Sequence, residues 1–164
     1  MNAVRLMLFT LAVTAFYTYV AQMVPQKEVH PPKSLELRPD MTPEELAVAG
    51  REIAGGKGTC LACHTLGAGH PGRFPDLEGV GARAGARVAG LSGLEYLAQS
   101  LYEPEAYIVE GYSPGMPAVH KPPISLSDAE ILAVVAWLQS LGGAATVTPS
   151  TVLRRAGADT EAAR

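Results

Sequence analysis

The chain has 164 residues and a mass of 17.2 kDa, room for about one domain at the usual ~150 residues each, which excludes a multidomain enzyme. A net charge of −3 and a pI near 5.8 lack the basic footprint that nucleic-acid binding needs, so no nucleic-acid partner is expected. Charged residues make up only 18% beside 17 Gly and 13 Pro, which predicts many turns, and the 2 cysteines are too few for a disulfide scaffold or a four-thiolate zinc site.

Leu6 to Val24 is a run of nineteen residues without a charge. At ~1.5 Å per helical residue it nearly crosses a ~30 Å hydrocarbon core. A cleaved signal peptide is the alternative. Its only small-x-small site, Val13-Thr14-Ala15, leaves a very short apolar core ahead of it, so a retained single-pass anchor over residues 1–25 is expected. Tyr17 and Tyr19 suit a membrane interface. Thr10, Thr14 and Thr18 recur every four residues on one helical face and suggest contact with other membrane helices.

Residues 26–41 carry Pro31, Pro32 and Pro39 among alternating charges, with His30 among them and no apolar periodicity. They read as an extended, semi-rigid tether reaching roughly 50 Å at ~3.1 Å per residue. Residues 42–143 form the head, and three helix starts announce themselves there. Thr42-Pro43-Glu44-Glu45, Ser92-Gly93-Leu94-Glu95 and Ser127-Asp128-Ala129-Glu130 each put a hydroxyl at the N-cap and a carboxylate three positions on. Gly142 and Gly143 mark the stop of the last helix. Between the helices no alternating run predicts a strand, so the fold class is all-α with long loops. Residues 144–164 are rich in Ala and Thr, without a large apolar residue after Leu153, and are expected to form a flexible tail unless a partner holds them.

The chemistry sits just after the first helix of the head, in Cys60-Leu61-Ala62-Cys63-His64. C-x-x-C-H is the attachment pattern of a c-type haem. Two thiols at that spacing can form thioethers to one porphyrin edge, and the adjacent imidazole then falls on the iron as proximal ligand. A thioredoxin-like C-x-x-C is the competing reading, but it wants a preceding strand and a βαβ setting that this sequence lacks. It predicts free, alkylatable thiols.

A low-spin carrier needs a second axial ligand, and methionine there raises the potential relative to a second imidazole. Met116, in Tyr112-Ser113-Pro114-Gly115-Met116-Pro117, is held in a loop that no regular element can claim. His120 is the fallback. His70 reads as a surface-loop histidine, Met41 precedes the first helix of the head, and His30 in the tether has no reason to be a ligand. Arg83, Arg87 and Tyr112 are candidates for the two haem propionates, although solvation is the commoner fate of such arginines. Residues 91–143 hold six acidic residues against Lys121 alone. That is either a solvated face or an acidic patch steering a basic partner.

These residues resemble the monohaem class I cytochromes c, specifically the bacterial type joined to respiratory membrane complexes. The resemblance spans residues 42–143. It rests on Gly50, on Cys60-x-x-Cys63-His64, on Phe74-Pro75-Asp76-Leu77-Glu78-Gly79-Val80-Gly81, on Tyr96-Leu97-x-x-Ser100-Leu101 to Gly111-Tyr112, on Gly115-Met116-Pro117 and on Trp137. It implies that the backbone carbonyl of Pro75 accepts a hydrogen bond from the ring of His64, and that the first and last helices of the head cross closely, with Gly50 facing Trp137.

The expected function is single-electron transfer between redox partners by one covalent haem c, with no small-molecule substrate. The expected setting is the extracytoplasmic side of the inner membrane, where thioethers form, as a subunit of a respiratory or photosynthetic complex in preference to an independent shuttle. A rival of another class is a haem sensor or ligand-binding protein in which Met116 leaves the iron.

Overall fold

The computed structural model describes residues 2–25, 37–67 and 72–153. His30, His70, most of the expected tether and residues 154–164 lie outside the described residues. The chain divides into two units, Met1–Lys33 and Ser34–Arg164.

The first unit is helix α1, Ala3–Met23, in which no residue is buried. Phe9, Met7, Tyr17 and Tyr19 are all exposed. A helix this apolar on every side is suited to lipid, and by length and composition α1 is able to cross a membrane. Thr10 and Thr14 donate their hydroxyls to the carbonyls of Leu6 and Thr10, both at 2.9 Å. Those donors are satisfied within α1, so neither requires a partner helix.

The second unit is all-helical among the described residues. Helix α2 spans Pro43–Gly55, α3 Val80–Arg83, α4 Gly93–Tyr102 and α5 Asp128–Ser140, with 3-10 turns at Cys60–Ala62 and Ala84–Ala86. The N-caps Thr42, Ser92 and Ser127 each form the full capping box with Glu45, Glu95 and Glu130. Each box satisfies otherwise orphaned backbone donors and stabilises its helix by roughly 1 kcal/mol.

Helix α5 is the centre of the core, with every residue from Ile131 to Leu138 buried. Helix α2 lays Leu46, Ala49, Gly50 and Ile53 against it. A Cβ on Gly50 would lie 1.9 Å from the Ala133 carbonyl oxygen and 3.0 Å from Trp137 Cβ. Only glycine permits that crossing. Gly81 makes a second close approach, where a Cβ would fall 2.1 Å from the Gln139 carbonyl oxygen. Helix α4 closes the third side with Tyr96, Leu97 and Leu101.

Two boundaries differ from the sequence reading. Residues 144–153 do not behave as a flexible tail: Val147 is only 1% exposed, and Ala145 and Leu153 pack against the core. Gln139 and Thr146 lock the segment reciprocally, at 2.9 and 3.0 Å. One inserted valine and one amide pair order a stretch whose average composition argues for disorder. At the other end, Leu37 and Met41 also pack on the core, so the last residues assigned to the tether belong to the head.

Candidate functional site

Gly56 to His64 turns out of α2 in tight steps. Thr59 takes a left-handed conformation, φ 52°, and the following 3-10 turn directs the His64 and Cys63 amides to the Cys60 carbonyl, at 2.9 and 3.2 Å. This single helical turn brings Cys60, Cys63 and His64 to one side of the chain, as i, i+3, i+4 spacing requires. The cysteines are not bridged to each other; Cys60 is half-buried and Cys63 exposed. Burial pushes the Cys60 thiol up from its ordinary range; a backbone hydrogen bond opposes the rise and the neighbouring Cys63 adds to it. A thiol–disulfide exchange protein needs a depressed thiol, and among the described residues no strand precedes the pair, so the thioredoxin-like reading loses its setting.

His64 Nδ1 lies 2.7 Å from the Pro75 carbonyl oxygen. A carbonyl can only accept, so Nδ1 carries the proton, and in the neutral ring Nε2 is the nitrogen left with a lone pair. The loop bearing Pro75 is heavily tied. Asp76 accepts from the Thr65 hydroxyl at 2.6 Å, from the Gly67 amide at 3.0 Å and from the Glu78 amide at 2.7 Å. The Leu77 amide donates to the Thr65 carbonyl at 2.9 Å. Thr65 and Asp76 did not stand out in the sequence; the one available signal was an Asp placed to bond the amide two residues on, as in an Asx turn.

The two arginines differ. Arg83 spends its guanidinium on the loop, donating from Nη1 to the Glu78 carbonyl and from Nη2 to the Asp76 carbonyl, the latter at 2.7 Å. Arg87 Nε is buried without a hydrogen-bond partner among the described residues. Leaving such a donor unpaired costs about 1–3 kcal/mol.

Cys60, Cys63, His64, Pro75, Arg83, Arg87, Tyr112 and Met116 all line one cleft of about 1390 Å³, counted out to its open mouth. Apolar side chains of Tyr96, Leu97, Leu101, Val134 and Leu138 supply much of the remaining wall. Two other ligand candidates fall elsewhere. His120 sets its ring, tilted by 51°, 5.3 Å from that of Tyr102, with Nδ1 buried and unpartnered among the described residues, and it is not part of the cleft wall. Met41 packs on the core and is likewise absent from that wall.

A mostly apolar cleft, walled by two thiols and an imidazole with one free nitrogen, and edged by an unsatisfied guanidinium donor, fits an iron porphyrin with its carboxylates. That defines the class: a small helical protein holding haem through its own chain. The family model for cytochrome c matches residues 47–142, more than half of the chain, and the chain belongs to that family. It therefore carries covalent haem c at the C-x-x-C-H of Cys60 and Cys63, and it is an electron-transfer protein. Comparison with curated proteins finds no match.

Proposed function

We propose that the protein is a membrane-anchored, single-haem electron carrier in which His64 and Met116 would hold the iron. The bound group supplies a one-electron Fe(III)/Fe(II) couple. The chain's part is to keep that couple's surroundings constant. His64 is oriented by the Pro75 carbonyl, the apolar wall excludes water, and Arg87 offers its unpaired Nε–H to a propionate. Arg83 and Tyr112 line the same cleft and are the further candidates for that edge. The observation that carries this reading is the free Nε2 of His64 in the cleft that Met116 also lines, with His120 and Met41 engaged elsewhere.

Helix α1 serves as a retained single-pass anchor, with residues 26–36 as the link to the head and the head on the extracytoplasmic face. The whole acts as a subunit of a respiratory or photosynthetic complex. Co-purification with other chains in mild detergent is the expected outcome; a lone monomer overturns that part and leaves a tethered shuttle.

The decisive test combines intact mass and absorption spectra of the membrane-extracted protein. Expected are the full chain plus one haem and, in the ferric form, a methionine–iron charge-transfer band. Met116→Ala abolishes that band and changes the midpoint potential, whereas His120→Ala leaves both. A band that survives Met116→Ala refutes the ligand assignment, and a colourless wild-type protein refutes the proposal.

A further inference from the structure

His64 donates its orienting hydrogen bond to a main-chain carbonyl, so no side-chain substitution can remove that acceptor directly. What can be changed is the device that holds the carbonyl in place. Residues 64–67 and 75–78 run past each other as two loop segments with no regular secondary structure to fix their spacing. Asp76 joins them: its carboxylate takes the Thr65 hydroxyl and the Gly67 amide from one segment and the Glu78 amide from the other. Each bond has a charged acceptor, roughly twice as strong as a neutral bond. The Asp76 carbonyl is held in turn by Arg83 Nη2. Pro75, the residue just before this hub, has no backbone N–H and a restricted φ, so its carbonyl direction follows the anchoring of Asp76.

We infer that Asp76 is a positioning residue for the proximal ligand, pinning the Pro75 carbonyl on His64 Nδ1–H and thereby setting the electron donation of His64 Nε2 to the iron. This rests on His64 being that ligand. A strong bond at Nδ1 makes the imidazole more basic, which favours Fe(III) and lowers the potential; loosening the hub raises it.

Three variants of the full-length holoprotein separate this from simpler roles. Asp76→Asn puts an amide N–H₂ where one of these donors needs an acceptor. Thr65→Val removes one donor without changing charge. Glu78→Gln removes an exposed charge from the same loop and keeps the Glu78 amide that binds Asp76. Midpoint potentials and hydrogen exchange of the His64 ring N–H, followed by NMR, are measured on each. Asp76→Asn is expected to shift the Fe(III)/Fe(II) equilibrium about tenfold toward Fe(II), equivalent to about 59 mV upward for one electron. Thr65→Val shifts it the same way by about threefold. Ring N–H exchange accelerates in both and not in Glu78→Gln.

If Asp76→Asn and Thr65→Val melt earlier but keep the wild-type potential and exchange rate, the hub is structural only and the inference fails. It fails equally if Glu78→Gln matches Asp76→Asn while Thr65→Val does nothing, because charge alone then explains the shift. Should Asp76→Asn not mature, Thr65→Val decides. A wild-type protein without haem absorption overturns the ligand assignment itself, an outcome visible before any variant is made.

Discussion

Replacing Gly50 with alanine places a methyl group 1.9 Å from the Ala133 carbonyl oxygen and 2.4 Å from its carbon. Ordinary contact there is near 3.5 Å, so α2 and α5 must part by about 1.5 Å. Helix α5 cannot yield cheaply, because Ile131 to Leu138 are buried throughout. Overpacking typically costs about 1–3 kcal/mol, and a 1.9 Å approach to backbone sets this case at the upper end, about 3 kcal/mol, of which alanine's better helix propensity returns about 1 kcal/mol. A net loss of about 2 kcal/mol lowers the melting temperature by roughly 8–16 °C for a domain of this size. Val134 and Leu138, on the displaced helix, line the haem cleft, so the haem spectrum should broaden along with the lost stability. The assay is thermal unfolding of the holoprotein by far-UV circular dichroism and haem absorbance in parallel. Gly55→Ala is the control, since a Cβ there meets nothing nearer than Leu61 Cδ1 at 3.8 Å. A Gly50→Ala protein melting within about 2 °C of wild type would refute the close-crossing argument.

Val147→Ala should lower stability by about 1.5 kcal/mol from lost apolar burial, read as a reduced urea midpoint at unchanged m-value; a true tail residue would leave the midpoint where it was. Burial by itself raises the Glu130 carboxyl, but the Lys57 ammonium at 2.8 Å and the Ser127 donors outweigh it and hold the group below its usual range. A carboxyl lowered in the folded state adds stability above its unfolded value of about 4.3 and loses it as pH falls through the lower folded value. Wild type should therefore lose more stability than Glu130→Gln over that acid window, in melts taken at stepped pH, and parallel curves would sink the assignment. Apoprotein of Cys60→Ser/Cys63→Ser should retain the helical far-UV spectrum less well than holoprotein, because the empty cleft leaves its apolar wall and Arg87 Nε unsatisfied; equal melting temperatures would contradict that.

What could be read from the chain alone was whatever a few neighbouring residues decide. The three capping boxes close over three positions, the C-x-x-C-H turn over four, and the apolar run of α1 is a property of composition; each appears in the structure where the residues put it. The resemblance added the Gly50 crossing and the Pro75 bond to His64. Other features depended on segments distant in sequence meeting in space. Whether Arg83 or Arg87 has a donor to spare depends on the Asp76 and Glu78 carbonyls folding over one of them. That Met116 lines the cleft while Met41 and His120 do not depends on where α2, α4 and α5 leave room. Val147 looked like tail because composition averages over a segment, whereas burial is decided residue by residue against a surface built by α5 and its neighbours. Local bonding is written at short sequence separation; occupancy of a shared wall is a collective property, which exists only once the helices have closed around it.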